Sequence, residues 1–172
     1  MMRILLAILM LVFPAACSAA DLSVGDPAPV IRLQTDEGTV FDLQSRRGEW
    51  TVLYFYPKAG TPGCTTQACS FRDNIGQIQR LGAEIYGVSA DPVSALVPFK
   101  KEHNLNFTLL ADPELKAISA YGTKMPSDKM SRRWTFIIGP DLKIRSIEKD
   151  VDPVLDAQRV ADTLGTLQGK TE

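Results

Sequence analysis

Two hydrophobic periods alternate along this chain. Thr51-Val52-Leu53-Tyr54-Phe55-Tyr56 is an unbroken apolar run of strand length, rich in β-favouring residues. From Cys64 the apolar positions recur at Ala68, Phe71, Ile75 and Ile78, the spacing of one helical stripe facing a core. Between them, Pro57 ends the strand, because it has no N–H for a central ladder. Thr61-Pro62 opens the helix, with Thr61 as N-cap and Pro62 at the first helical position. Leu81-Gly82 closes it.

The rest of the chain repeats this alternation. Val30 to Gln34 and Thr39 to Leu43 are expected strands joined through Asp36-Glu37-Gly38, and Arg46 to Glu49 an expected loop. Glu84 to Ser89 and Asn106 to Leu110 are expected strands. Trp134 to Ile138 and Leu142 to Glu148 form an expected hairpin turning on Gly139-Pro140-Asp141. Asp91-Pro92, Asp112-Pro113 and Asp152-Pro153 repeat the cap-plus-proline start of Thr61-Pro62. They predict helices running to about Asn104, Tyr121 and Leu167. Strands alternating with helices predict an α/β fold, a central sheet flanked by helices. The closing hairpin makes that sheet mixed.

The first twenty residues break the pattern. Arg3 is followed by the apolar run Ile4 to Phe13, and Ser18-Ala19-Ala20 offers the small residues of a cleavage site. This reads as a secretory signal peptide, too short to span a membrane, leaving a single domain over residues 21–172 and a periplasmic or secreted protein. A rival is a lipoprotein acylated at Cys17, against which stands Pro14, where a lipobox carries Leu. A formal net charge of −1 gives no reason to expect nucleic acid or an anionic membrane as partner. One His and, after cleavage, two Cys make no zinc set, and His103 sits in a polar helix end as a solvated residue. There is no Gly-rich phosphate loop and no nicotinamide or flavin fingerprint, so no cofactor is expected.

Chemistry therefore rests on the cysteines. Cys64 falls in the first turn of its helix, where unpaired N–H groups and the helix dipole favour a thiolate. An inert buried cysteine is the alternative for Cys64 alone. Cys69 changes this. It lies in the same helix, about 140° around from Cys64 and with Cα roughly 8–9 Å away. A disulfide requires about 7 Å or less, so the pair bridges only if the helix locally unwinds. Such a geometry is unsuited to a structural staple and suited to a catalytic one.

Pro57, Thr61 and Cys64 match the P-x-x-x-T-x-x-C signature of peroxiredoxins. The longer string Phe55 to Cys69, with Phe71-Arg72-Asp73 after it, resembles the bacterioferritin-comigratory, or Q-type, subfamily, and the likeness runs from about Val24 to Leu167. The resemblance implies a thioredoxin-like fold with peroxiredoxin extensions. It implies Cys64 as the peroxidatic thiol, Cys69 as the resolving thiol, and Thr61, Pro57 and Arg133 as site residues. On the residues alone, Arg133 beside Arg132 reads as a surface cation, Thr61 as a cap and Pro57 as a strand terminator. As cap, Thr61 would accept from a backbone N–H near Cys64 and keep its hydroxyl proton free for the sulfur or a peroxide.

The function so implied is reduction of hydrogen peroxide and organic hydroperoxides through a Cys64 sulfenic acid. An intramolecular disulfide with Cys69 would follow, recycled by a thioredoxin-like or other dithiol reductant, with the chain acting as a monomer. Two other classes stay open. A periplasmic thiol–disulfide oxidoreductase would usually carry Cys-x-x-Cys at this helix start, where this chain has Gln67. A non-enzymatic redox-sensing module on the same fold is the other.

Overall fold

The computed structural model describes residues 21–126 and 129–169. The expected signal peptide and Cys17 lie outside the described residues. The strands are β1 (Arg32–Thr35), β2 (Val40–Asp42), β3 (Trp50–Phe55), β4 (Ala83–Ser89), β5 (Thr108–Ala111), β6 (Trp134–Ile138) and β7 (Ile144–Glu148). The helices are α1 (Pro62–Arg80), α2 (Val93–Glu102), α3 (Lys116–Ala120) and α4 (Asp156–Leu167).

The strands form one mixed sheet in the order β2-β1-β5-β4-β3-β6-β7. β3, β4 and β5 pair in parallel, while β6 runs antiparallel to β3 and to β7. The β6–β7 hairpin thus makes the sheet mixed, as its turn residues predict. Along β3, Val52 and Tyr54 face one core, shared with α1, α2 and α4, while Leu53 and Phe55 face the other, shared with α3. A strand buried on both faces has no polar positions to alternate, which is why 51–56 reads as a continuous apolar run. The α1 stripe docks on the first core: Cys64, Ala68, Phe71 and Ile78 are buried, and Ile75 packs against them half-exposed. Burying a side chain such as Phe71 contributes about 1.5–3 kcal/mol.

Tyr54 lies under α1, its ring 4.7 Å from that of Phe71. Its packing depends on the neighbouring strand. A β-carbon on Gly87 would stand 2.6 Å from the Tyr54 hydroxyl, so only glycine leaves room there.

The expected order of cap position then proline falls at the helix start only for α1, where Thr61 is at the N-cap position and Pro62 is the first residue. α2 begins at Val93 with Pro92 as its cap, α3 at Lys116 and α4 at Asp156. The three Asp carboxylates do different work: Asp112 still caps the first turn of α3 from four residues upstream, Asp152 closes its own turn, and Asp91 ties down the loop after β3. Asp112 accepts from the N–H groups of Lys116 and Ile118, and Asp152 from that of Val154. Asp91 accepts from Ala59 N–H and Ser89 Oγ. An Asp-Pro pair makes a turn as readily as a helix start, since Pro fixes only φ and Asp caps its own turn.

Two smaller expectations are also corrected. The second strand stops at Asp42, whose carboxylate accepts from Gln44 N–H and starts a short 3₁₀ turn over Leu43–Arg46. His103 is not solvated but half-buried, edge-on to Phe99 with ring centroids 5.1 Å apart.

Candidate active site

The site forms where the loop after β3 feeds the first turn of α1. Tyr56 N–H donates to Val88 O, and Ala59 N–H donates to Asp91 at 2.8 Å, so the loop is pinned to the end of β4. Pro57 sits half-buried at the bend between them. Thr65 N–H donates to Thr61 O at 2.9 Å as α1 begins. Cys64 is the third helical residue, so its own N–H belongs to the first turn and has no intrahelical acceptor.

Cys64 is almost wholly buried and is a free thiol. Arg133, just ahead of β6, stands over it with Nη2 at 3.4 Å from Sγ. Pairing of β3 with β6 sets this approach, since Phe55 and Trp134 are partners in the register. Gly63 also permits it, because a β-carbon there would meet Arg133 Nη2 at 3.2 Å. Arg132 is directed elsewhere, with its guanidinium 5.7 Å from the Trp134 ring. A sulfur held against a guanidinium and the unpaired N–H groups of a helix start has donors where negative charge develops, the arrangement a nucleophile needs to attack an electrophile.

Thr61 differs from expectation. Its side chain makes no cap bond; Oγ1 donates to Lys58 O at 2.9 Å. The turn Lys58-Ala59-Gly60, with Gly60 at φ 77°, brings that carbonyl within reach. The hydroxyl proton is thereby committed, and the oxygen is left as an acceptor.

Cys69 lies in the same unbroken helix, half-buried and also a free thiol. Around it α1 has few apolar anchors between Cys64 and Phe71. Polar links hold the segment as well. Gln67 is fully buried, with Oε1 accepting from Arg133 Nη1 at 2.6 Å and Nε2 donating to Asp156 Oδ2 at 2.7 Å. Ser70 Oγ donates to Val154 O. Opening this segment therefore breaks polar links as well as helix, at about 1.5–3 kcal/mol for each hydrogen bond to a charged group.

Gln67, Asp156, Thr135 and Asp91 were missed as site residues. Gln67 did carry a signal, a polar residue three positions after Cys64 on the buried side of the helix. Asp156 carried none, being one of two acidic residues in the C-terminal helix. It is 1 % exposed and accepts from both Gln67 and Thr135 Oγ1. Burial raises its pKa above the ordinary carboxylate value, against those two hydrogen bonds, which lower it. Tyr54 and Tyr56, also under the site, are pushed well up by burial and stay neutral. Among the described residues no cluster of His, Cys, Asp and Glu is arranged to hold a metal ion.

Fold and site together define a protein of the thioredoxin-like class with one helix-start cysteine under an arginine and a second cysteine five residues on in the same helix. Among proteins of known class, the chain is 38 % identical over 157 residues to the peroxiredoxin Bcp of Bacillus subtilis, covering 88 % of this chain and 98 % of that one. Its structure superposes on a cysteine-to-serine mutant of Xylella fastidiosa PrxQ with a TM-score of 0.80 and 27 % identity, covering 89 % and 99 % of the two chains. It also superposes on the bacterioferritin comigratory protein of Xanthomonas campestris, described for its alkyl peroxide reduction activity, with a TM-score of 0.75 and 29 % identity, covering 80 % and 91 %. The AhpC/TSA family model matches residues 24–147. The chain belongs to the AhpC/TSA family, on its Bcp, or peroxiredoxin Q, branch, and the expected thioredoxin-like fold is the fold it has.

Proposed function

We propose that this protein is a thiol peroxidase in which Cys64 attacks the peroxide and Cys69 resolves the product. The observation that carries this is the Cys64 sulfur, in the first turn of α1, 3.4 Å from Arg133 Nη2. The relatives, peroxiredoxins by name, supply the substrate class, a peroxide.

The thiolate attacks the nearer peroxide oxygen, the O–O bond breaks, and the other oxygen leaves as water or an alcohol after gaining a proton. Arg133 and the Cys64 N–H stabilise the charge that develops, in the manner of an oxyanion hole. Thr61 Oγ1, its own proton held by Lys58 O, accepts the peroxide O–H and orients it. Pro57 shields the sulfur from the loop side. The Cys64 sulfenic acid then condenses with the Cys69 thiol, releasing water and forming a disulfide. An external dithiol of thioredoxin type reopens it by exchange and is itself oxidised.

The unit of function is the single domain over residues 21–172, acting as a monomer after export. Mass spectrometry of the exported protein should then give an N-terminus at Asp21. A diacylated peptide starting at Cys17 would replace that with a lipoprotein.

The central test is peroxide consumption with several dithiol reductants. Cys64→Ser should fall below about 1 % of the parental rate, because a serine hydroxyl is not ionised at neutral pH. Cys69→Ser should react once, accumulate sulfenic acid that dimedone traps, and turn over poorly. Sustained turnover by Cys64→Ser would refute the assignment.

A further inference from the structure

The Gln67 side chain lies between two partners of opposite hydrogen-bonding character. On one side is the Arg133 guanidinium, which only donates, and on the other the Asp156 carboxylate, which when ionised only accepts. An amide has one face of each kind, so a single orientation satisfies both contacts. The reverse orientation would set the amide NH₂ against the guanidinium and the amide oxygen against the carboxylate. Both clashes are buried, where an unsatisfied polar contact costs most.

The carboxylate is itself held in place. Thr135 Oγ1 donates to the same Asp156 oxygen at 2.8 Å, from the strand that Arg133 precedes. Asp156 opens α4, and α4 packs along α1, with Ala157, Val160, Ala161 and Leu164 in the same core as Cys64. On its far side a cavity of about 30 Å³ borders Asp156, Glu148, Arg159 and Ser146. The carboxylate is thus fixed by the sheet and by α4, and no part of it touches the sulfur.

We infer that Asp156 is a positioning residue for peroxide attack, holding the Gln67 amide in the one orientation that keeps Arg133 over Cys64. This rests on the assignment of Cys64 as the attacking thiol. Without Asp156, the Gln67 amide loses its reason to face Arg133 with oxygen, and the guanidinium loses a 2.6 Å anchor. The peroxide-attack step then slows. Disulfide formation with Cys69, which requires Gln67 to leave its pocket, does not.

The test is the second-order rate of sulfenic acid formation with hydrogen peroxide, measured by stopped flow on the full reduced chain. Folding of each variant is checked by circular dichroism. Asp156→Leu, close in volume and without an acceptor, should slow attack by about tenfold or more, as Gln67→Ala should. In the Gln67→Ala background, Asp156→Leu should add less than about twofold, since coupled residues fail to be additive. The exchanged pair is the second arm. Gln67→Glu alone places two carboxylates face to face and should slow attack. Adding Asp156→Asn restores one donor and one acceptor across the same gap and should return the rate to within about threefold of the parent.

Equal slowing by Asp156→Leu with and without Gln67 would overturn the inference, and so would failure of the exchanged pair to recover. If the leucine variant does not fold, the exchanged pair decides alone, because both its changes are isosteric. Failure of the parent protein itself to oxidise at Cys64 would overturn the proposed function instead.

Discussion

At the scale of single residues, two adjacent arginines compete to reach the sulfur and one does. Arg132 and Arg133 are indistinguishable by type, and their difference is one position in the register of β6. Arg133 Nη2 lies 3.4 Å from Cys64 Sγ, whereas Arg132 covers the outer face of Trp134. Arg133→Ala should therefore slow peroxide attack by about 10²–10³-fold, the usual effect of deleting one charge-stabilising donor. Arg132→Ala should leave the rate within about twofold, since the half-buried Arg132 guanidinium packs on the Trp134 ring and is not directed at the sulfur. Stopped-flow oxidation of both variants checks this. Equal loss in the two would mean that net positive charge, not the directed guanidinium, sustains the reaction.

At the scale of elements, α1 has two tasks that oppose each other. Its first turn stays folded to present Cys64, and under the proposed function the same segment opens for Cys69 to reach it. The helix is unbroken from Pro62 to Arg80 in the reduced protein, with both thiols free. Amide hydrogen exchange should show protection over residues 64–70 falling on oxidation while residues 75–80 change little, because Phe71 and Ile78 hold the rest of the helix in the core. Equal protection in both forms, with the intramolecular disulfide confirmed by mass, would contradict the opening. The anchors at Gln67 and Ser70 set the cost of that opening. Gln67→Ala should accordingly speed disulfide formation from the sulfenic acid even as it slows its formation. The two rates are separable by peroxide concentration, since only the first depends on it.

For the whole molecule, the buried carboxylate at Asp156 links stability to pH. Burial, opposed by the hydrogen bonds from Gln67 and Thr135 and aided by the charge of Glu148, raises its pKa above 3.8. The folded protein thus holds this proton more tightly than the unfolded chain. The stability Asp156 supplies is fully present below the ordinary value and declines as pH rises through the raised folded value. Asp156→Asn removes that titration and nothing else ionisable. Its melting temperature relative to the parent should therefore rise from pH 4 to pH 7, as calorimetry across that range would show. A constant difference would mean that the carboxylate does not change its protonation on folding. The fold tolerates this cost because Asp156 ties α4 to α1 and to β6 at once.

Most of the architecture was legible from periodicity. The continuous apolar run over β3, the stripe of α1 and the closing hairpin each follow from local side-chain pattern, and local pattern dictates which face is buried. Cys64 at a helix start was legible for the same reason, since Thr61-Pro62 acts within one turn. Helix starts at Asp-Pro pairs were over-read, because that dipeptide satisfies a turn equally well and only packing decides where a helix begins. The rest of the site left little mark in local pattern: Arg133 was named as a site residue through the resemblance alone, and Gln67 and Asp156 not at all. Arg133 meets Cys64 across 69 positions and Gln67 meets Asp156 across 89. Contacts of that separation have no local periodicity to announce them. They arise from the pairing of β3 with β6 and the packing of α4 on α1, which only the folded sheet brings about. Sequence by itself determined that a cysteine would sit at the head of a helix docked by one apolar stripe. Tertiary structure decided which arginine faces it and which buried amide and carboxylate keep that arginine there.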